Sequence, residues 1–358
     1  MKTIKAAVCH AFNEPLTIED IQLAPPGAGQ IEVSLEACAI CHSDISYIDN
    51  AWGGQLPAVY GHEAVGHVTE VGPGARRKLG DRVLVTLMRS CGACPSCGSG
   101  TPVFCDDTPA VDNPLSSTGG DEIVHGLKCG AFAEKVVVHD SQTQPVPASM
   151  PAASASLLSC GVVTGVGAAV NTAAIRTGET VVVIGAGGVG LNAIQGARIA
   201  GASRIVAIDM MPEKLDAALE FGATDGVLAS HEKPWKAVKK VVPGGVDVVL
   251  VSVGAIQAYD TAMRYLKKKG RMYMVGMPHT GQTVDYEPVM VAALGQRMEG
   301  SLMGDTVLAR DIPWMVDMYE QGRLKLDELV SKTWSLDQIN DAIANTKTGA
   351  ARRNVIVF

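Results

Sequence analysis

Four cysteines close together form the densest group of potential metal ligands in this sequence. The segment that holds them is too rich in glycine to build a hydrophobic core, and its ligand candidates are Cys91, Cys94, Cys97 and Cys105. Four thiolates complete the tetrahedral coordination of zinc, so such a site stabilises a loop and leaves no position open for chemistry. The alternatives are disulfides and a zinc ribbon that binds nucleic acid, but Arg89 is the only basic residue near the segment. The spacing predicts a structural zinc site.

A glycine-rich turn between two strand-like segments is the second chemical signal. Residues 181–184 are an apolar run, a helix-compatible segment continues after the turn to about Ala200, and a second apolar run ends at Asp209. Such a turn lets the backbone and the helix N-terminus approach a pyrophosphate, and the acidic residue accepts hydrogen bonds from the ribose. The alternative is an ordinary turn between strand and helix. The residues predicted to form the binding turn are Gly185, Gly187, Gly188, Val189 and Gly190.

The cofactor predicted from this unit is NAD rather than NADP. A carboxylate at Asp209 repels a 2′-phosphate, and the two residues that follow it, Met210 and Met211, provide no cation to neutralise one.

Length and composition limit the class of protein. The chain has 358 residues, which suits two domains, and its net charge of -7 argues against nucleic acid or an anionic membrane as the partner. No apolar run is long enough to predict a membrane span, and the first residues become polar too early for a secretory signal. Because most of the nine cysteines fall into metal-ligand patterns, we expect a reducing, cytoplasmic environment.

The order of structural signals predicts a β-rich part followed by an α/β part. Short strand patterns broken by glycine and proline dominate the first 160 residues, with no clear element over 106–128. Alternating helical and strand patterns then predict a doubly wound parallel sheet, including a helix over 258–269 that ends before Gly270.

Taken together, the motifs resemble the zinc-dependent medium-chain alcohol dehydrogenases over essentially the whole chain, nearest the branch of animal-type and formaldehyde dehydrogenases. The resemblance is carried by the four-cysteine loop, the glycine turn with Asp209, and residues 41–44, 61–63, 160–165 and Arg353. It implies a GroES-like β domain and a Rossmann domain, with the active site in the cleft between them. The implied bounds are 1–160 for the catalytic domain, 161–302 for the NAD-binding domain and 303–358 for a return to the catalytic domain.

The chemistry of alcohol oxidation agrees with this resemblance. A carboxylate or imidazole alone cannot deprotonate an alcohol at pH 7, whereas a zinc ion with three protein ligands and one open position lowers the pKa of the hydroxyl. The resemblance assigns these ligands to Cys41, His62 and Cys160, the two-cysteine, one-histidine set known from alcohol dehydrogenase. Taken alone, a buried cysteine is usually a small apolar residue and a single histidine usually has a packing or surface role. We therefore expect two zinc ions per chain, one catalytic and one structural.

The resemblance also assigns roles around the catalytic zinc. Asp44 would orient His62, Glu63 would approach the metal during ligand exchange, and Ser43 would take the proton of the substrate. Trp52 and Leu87 match the walls of the substrate pocket, and the alternative for each is a place in the core or on the surface.

The remaining assignments concern the cofactor. His42, which replaces a commoner arginine, and Arg353 match contacts to the pyrophosphate, and Lys214 matches a residue near the ribose. Two further cofactor contacts are assigned to Thr164 and Val275.

The expected function is reversible hydride transfer between a primary or simple secondary alcohol and NAD, in a homodimer or homotetramer. Two departures from the family pattern matter. Residues 106–129 do not reproduce the glutathione-reading segment, and Ser46 stands where many relatives have the histidine that ends the proton relay. Alternatives are a glutathione-dependent formaldehyde dehydrogenase, a polyol dehydrogenase, a nicotinoprotein that holds NAD permanently, and a non-catalytic structural descendant.

Overall fold

Three β-sheets form the framework of the chain, and the computed structural model describes all 358 residues. The strands, in chain order, are β1 (Lys2–Cys9), β2 (Thr17–Leu23), β3 (Gln30–Ala39), β4 (Ala58–Val59), β5 (Glu63–Val71), β6 (Arg82–Val85), β7 (Leu115–Ser117), β8 (Val124–His125), β9 (Lys135–His139), β10 (Thr143–Pro145), β11 (Thr180–Ile184), β12 (Arg204–Asp209), β13 (Asp225–Leu228), β14 (Val246–Val251), β15 (Leu266–Met274), β16 (Arg297–Gly300), β17 (Val330–Ser335) and β18 (Arg353–Val357).

The helices are short, and none is long and apolar enough to cross a membrane. They are α1 (His42–Ile48), α2 (Pro95–Gly98), α3 (Ala152–Leu157), α4 (Gly161–Gly167), α5 (Gly188–Ile199), α6 (Pro212–Glu220), α7 (Pro234–Val241), α8 (Ile256–Ala262), α9 (Pro288–Leu294), α10 (Leu308–Glu320) and α11 (Ile339–Lys347).

The chain divides into two compact units. The first contains Met1–Cys160, Val307–Gly322 and Leu326–Phe358, and the second contains Gly161–Thr306 and Arg323–Lys325. The domain bounds given above remain a prediction.

The first unit contains two β-sheets. One sheet has the strand order β7-β2-β1-β4-β8, and the other has β10-β6-β5-β3-β18-β17 with β9 also paired to β3. Strand β3 is flanked by β5, β9 and β18, and eight of its ten residues are buried. The core contains side chains from both sheets, among them Ile4, Ile21 and Val33, together with Phe132 from the loop before β9. This β-rich unit matches the predicted GroES-like domain.

The second unit contains a six-stranded sheet in the order β13-β12-β11-β14-β15-β16, with every pair parallel. Counted within the unit, this is the order 3-2-1-4-5-6 of the Rossmann fold. The central strand β11 is buried from Val181 to Ile184, as expected for a strand covered on both faces. The predicted doubly wound sheet is confirmed.

Two local predictions are wrong. The helix expected over 258–269 ends as α8 at Ala262, and the lysine-rich segment after it belongs to β15, where Leu266 pairs with Val246 of β14. Pairing with a neighbouring strand overrides the helical preference of the lysines. The segment 106–128 contains β7 and β8, and β7 pairs with β2, a long-range contact that its polar sequence does not reveal.

Candidate active site and metal centres

The four-cysteine loop has the geometry of a closed metal site. The sulfurs of Cys91 and Cys97 are 4.0 Å apart, those of Cys94 and Cys105 are 3.9 Å apart, and all four lie within 4.8 Å of one another. A zinc ion with Zn–S bonds of about 2.3 Å requires sulfur separations of about 3.8 Å in a tetrahedron. No disulfide is present. The donor set therefore fits a four-thiolate zinc site.

Backbone hydrogen bonds prepare this loop for charged sulfurs. The amide of Cys94 donates to Cys91 Sγ at 3.3 Å, and the amide of Cys97, inside the one-turn helix α2, donates to Cys94 Sγ at 3.4 Å. The hydrogen bond from the Cys97 amide is the largest cause that lowers the pKa of the Cys94 thiol to about 7. The pKa of Cys97 rises to about 12 through desolvation and the neighbouring thiols. The loop thus stabilises thiolate charge, which a bound metal requires.

A second group of potential ligands lies buried in the first unit. Cys41, His62, Glu63 and Cys160 each place a ligand atom within 4.8 Å of the others. Cys41 caps the start of α1, and His62 and Glu63 lie where the chain enters β5. The structure therefore brings together the residues that the resemblance assigned to the catalytic zinc.

Only one of the two ring nitrogens of His62 has a hydrogen-bond partner. Its Nδ1 lies 2.9 Å from Asp44 Oδ1, while its Nε2 is buried and has no hydrogen-bond partner. A carboxylate on Nδ1 fixes the tautomer and leaves the Nε2 lone pair for a metal. The three-ligand set Cys41, His62 and Cys160 therefore fits zinc.

Asp44 organises this site beyond its contact with His62. The carboxylate, which is fully buried, also accepts the amide of Gly61 at 2.9 Å and the amide of Cys41 at 3.1 Å. The second of these bonds is the backward half of a capping box at the start of α1.

Glu63 forms an ion pair with Arg353. Both side chains are buried, and desolvation raises the pKa of Glu63 to about 7 although the guanidinium opposes this shift. The sequence predicted Arg353 at the pyrophosphate of the cofactor. The structure places its guanidinium against Glu63, and the pyrophosphate contact remains a prediction.

The two cysteine ligands have opposite pKa shifts. A hydrogen bond with Cys160 is the largest cause that lowers the pKa of Cys41, and the same contact raises that of Cys160. The pair therefore shares one proton readily, and a bound cation would displace it.

The other first-unit residues predicted at the substrate, on the proton path or at the pyrophosphate lie on or after α1. His42 is exposed, Ser43 and Ser46 are half-buried on the helix, and Trp52 is half-buried in the loop that follows. Leu87 packs against the core of the unit, so its assignment to a pocket wall remains a prediction.

The glycine turn of the second unit connects β11 to α5 with two tight contacts and one open position. A Cβ at Gly190 would lie 1.8 Å from the carbonyl oxygen of Gly185, and Gly185 itself has a φ of +94°. A Cβ at Gly187 would meet nothing within 4 Å. The turn therefore needs glycine at Gly190 for packing, while Gly187 leaves space for a ligand to approach the backbone.

Asp209 is held beside this turn. Its carboxylate accepts the amide of Ala186 at 2.8 Å and the amide of Met211 at 3.2 Å. Because β11 and β12 are parallel neighbours, the turn and Asp209 lie at the same edge of the sheet.

The other predicted cofactor residues lie at separate places in the second unit. Val189 is in α5, Lys214 is half-buried in α6, and Val275 follows β15. Thr164 Oγ1 lies 3.6 Å from Met303 Sδ.

The sequence reasoning missed two features of the first unit. One is the Glu63–Arg353 ion pair, which joins distant parts of the chain. The other is the contact of Tyr47 with both Trp52 and Tyr60. No pattern in the sequence signals either feature, because only the fold brings these residues together.

Two parts of the chain each match a known protein family. Residues 27–148 match the family described as Alcohol dehydrogenase GroES-like domain, and residues 188–321 match the family Zinc-binding dehydrogenase. A Schizosaccharomyces pombe protein described as "Probable S-(hydroxymethyl)glutathione dehydrogenase 1" is 35% identical over 99% of this chain and 97% of its own.

Solved structures agree with these matches. Benzyl alcohol dehydrogenase from Acinetobacter calcoaceticus has a TM-score of 0.93 and is 28% identical, with all of both chains covered. A zinc-binding dehydrogenase from Sinorhizobium meliloti 1021, solved with NADP, has a TM-score of 0.83 and is 26% identical, again with all of both chains covered.

The chain belongs to the zinc-dependent medium-chain alcohol dehydrogenase family. It is an oxidoreductase whose cofactors are zinc and a nicotinamide dinucleotide, and its substrates are small molecules.

Metal analysis can separate the two zinc sites. We expect two zinc ions per chain in the parent protein and one in Cys160→Ala, which should stay folded but lose turnover. Cys97→Ala should lower the free energy of unfolding by several kcal/mol, because a structural zinc contributes directly to folding. The measurements are zinc per chain by mass spectrometry and denaturant unfolding. Cys129→Ala, which removes a buried cysteine outside both sites, should keep two zinc ions. A fully active parent with one zinc ion or none would contradict this assignment.

Two alanine substitutions in the glycine turn should have different effects. Gly190→Ala should destabilise the second unit by about 1–3 kcal/mol, because its methyl group overlaps the Gly185 carbonyl. Gly187→Ala should change stability by less than about 0.5 kcal/mol but weaken NAD binding roughly tenfold, since the methyl group fills the open approach. Thermal unfolding and calorimetric NAD titration measure the two effects. Equal NAD affinity of Gly187→Ala and the parent would show that the pyrophosphate binds elsewhere.

Proposed function

We propose that this protein is an NAD-dependent alcohol dehydrogenase that interconverts a primary or simple secondary alcohol and its aldehyde or ketone. The observation that carries the proposal is the buried set Cys41, His62 and Cys160, with the unpartnered Nε2 of His62 directed by Asp44. Three ligands leave a fourth position on the metal for a substrate, which a structural site does not provide.

The reaction converts an alcohol and NAD⁺ into a carbonyl compound, NADH and one proton. Zinc held by Cys41, His62 and Cys160 would supply a Lewis acid that lowers the pKa of the substrate hydroxyl. The nicotinamide would supply the hydride acceptor. Ser43 takes the hydroxyl proton and passes its own onward, because a hydroxyl group is a poor terminal base. Ser46, three residues after Ser43 on α1, also carries only a hydroxyl and cannot serve as that base, so the relay ends in solvent.

Other residues complete the proposed site without touching the reacting carbon. Asp44 keeps the His62 ring in the tautomer that binds the metal, and Glu63 and Arg353 neutralise each other behind the ligands. In the second unit, residues 185–190 receive the pyrophosphate and Asp209 receives the ribose, with contributions from Thr164, Lys214 and Val275. His42 contacts the pyrophosphate, and Trp52 and Leu87 form the walls that face the substrate.

An absorbance assay for NADH across a panel of alcohols tests the function. Ethanol, butan-1-ol, propan-2-ol, a polyol and S-(hydroxymethyl)glutathione separate the alternatives. We expect turnover of simple alcohols that Cys160→Ala abolishes. Turnover of S-(hydroxymethyl)glutathione alone would replace the proposal with an S-(hydroxymethyl)glutathione dehydrogenase, the activity for which the fission yeast relative is named.

The cofactor preference should be for NAD, by about a hundredfold or more in kcat/KM. The Asp209 carboxylate would repel a 2′-phosphate, and neither Met210 nor Met211 offsets that repulsion. Asp209→Gly should narrow the preference. Asp209→Asn separates the effect of the charge from that of the hydrogen bond, because it removes the negative charge and keeps an acceptor for the Ala186 amide. Parallel kinetics with NAD and NADP are the measurement. Equal use of both cofactors by the parent would show this role of Asp209 to be wrong.

We also propose that the protein forms a homodimer or a homotetramer through an edge of the second unit. Strand β16 is the last strand of the parallel sheet, and all four of its residues are exposed. Exposed apolar side chains lie on and around it: Met274, Val289, Met290, Met298 and Leu302. A strand with one unpaired edge and apolar neighbours favours pairing with the same strand of a second copy. The cytoplasmic location remains a prediction from the cysteine pattern.

Light scattering coupled to size exclusion tests this assembly. We expect the parent to have a mass of two or four times 37.4 kDa. Met298→Lys should shift the mass toward that of the monomer, because it places a charge in the contact between the two strand edges. Leu219→Lys is the matched control, since Leu219 is similarly exposed but lies on α6. A monomeric parent at micromolar concentration would rule out the proposal.

A further inference from the structure

Ser252, the half-buried residue that follows strand β14, contacts the glycine turn of the second unit. Its Oγ lies 2.9 Å from the carbonyl oxygen of Ile184 and 2.9 Å from that of Gly185, so these two acceptors share the proton of one hydroxyl. The Ser252 amide also donates to the Ile184 carbonyl, at 2.9 Å. One residue therefore ties the end of β14 to the first glycine of the turn.

The first glycine of the turn is held from two sides. The Gly185 amide donates to the carbonyl of Ile208 in β12 at 2.7 Å, and the Gly185 carbonyl accepts from Ser252 after β14. Strand β11 lies between β12 and β14 in the sheet. Because Gly185 has a φ of +94°, its backbone is in a conformation that glycine alone adopts readily, and these two bonds fix it there.

The carbonyl that Ser252 holds also supports the start of α5. A Cβ on Gly190 would lie 1.8 Å from the Gly185 oxygen and 2.8 Å from Ser252 Oγ, so the first turn of α5 packs on both groups. Gly187, the N-cap residue of α5, makes no side-chain hydrogen bond to the helix. The first amides of α5 are therefore available to an anion, and their position depends on the Gly185 carbonyl.

We propose that Ser252 is a positioning residue for the cofactor pyrophosphate. Its hydroxyl holds the Gly185 carbonyl, so that the turn presents the first amides of α5 to the phosphates. The inference rests on the cofactor site at residues 185–190 of the proposed function, and Ser252 acts on that turn rather than on the cofactor. Without the hydroxyl the Gly185 carbonyl loses this donor, and the first glycine is fixed by β12 alone.

The experiment compares NAD, ADP-ribose and adenosine as ligands of the zinc-loaded protein. NAD and ADP-ribose contain a pyrophosphate, whereas adenosine has the base and the ribose but no phosphate. Ser252→Ala should raise the Kd of NAD and of ADP-ribose about three- to tenfold, the size of one lost hydrogen bond, and that of adenosine less than about twofold. Calorimetric titration measures the first two ligands, and ligand-detected NMR measures adenosine.

Two further variants separate positioning from stability. Ser252→Thr keeps the hydroxyl donor and should stay within about twofold of the parent in NAD affinity.

Ser203→Ala is the matched control. The Ser203 hydroxyl also lies beside two successive carbonyl oxygens, those of Gly178 at 2.7 Å and Glu179 at 3.3 Å, but at the opposite end of β11. Its loss should leave the binding of all three ligands unchanged. Thermal unfolding checks each variant, and Ser252→Gly replaces the alanine variant if that does not fold.

The outcomes distinguish the role of Ser252 from the function on which it rests. Equal affinity of the parent and Ser252→Ala for NAD and ADP-ribose would overturn the positioning role. An equal loss of adenosine binding, or an equal effect of Ser203→Ala, would also overturn it, because a general loss of order in the unit would then explain the result. A parent that binds NAD but oxidises no alcohol would contradict the proposed function and leave the role of Ser252 standing. A parent that binds no NAD would overturn both.

Discussion

The catalytic half of the structure depends on one buried carboxylate. Asp44 accepts the amide of Cys41, the amide of Gly61 and Nδ1 of His62. It thereby fixes the start of α1, the turn before β5 and the orientation of one ligand ring. A buried charge is stable only when its hydrogen bonds are satisfied, so these three segments must stay in register. The same bonds that stabilise Asp44 therefore place Cys41 and His62 at the distance that a metal needs.

The nucleotide-binding unit follows a different constraint, which is close contact between backbone atoms. The Gly190 Cα lies so near the Gly185 carbonyl that no side chain fits, and the apolar strand β11 positions the turn at the edge of the sheet. These requirements are local in sequence, so the turn and the strand that ends at Asp209 could be predicted from the residues alone. The four-cysteine loop was predictable for the same reason.

Long-range contacts could not be predicted in this way. Glu63 and Arg353 meet only because β18 pairs with β3, which in turn pairs with β5. Residues 266–269 have the composition of a helix end, but the neighbouring strand β14 makes them part of β15. The Tyr47–Tyr60 stack requires α1 and the end of β4 to approach, and no periodic pattern records that approach. In each case a partner distant in sequence determines the local structure.

The Glu63–Arg353 ion pair explains how one unit can hold two zinc sites of different kind. At the four-cysteine loop every ligand is a thiol, and four of them close the coordination sphere. At the second site a fourth ligand, the Glu63 carboxylate, is also within reach, and it would close that sphere as well. The guanidinium of Arg353 competes for this carboxylate, because a charge-assisted contact with a buried arginine offsets the gain from binding the metal. The fourth position on a bound zinc would thereby be left for the oxygen of a substrate, and the ion pair would distinguish the proposed catalytic zinc site from the proposed structural one.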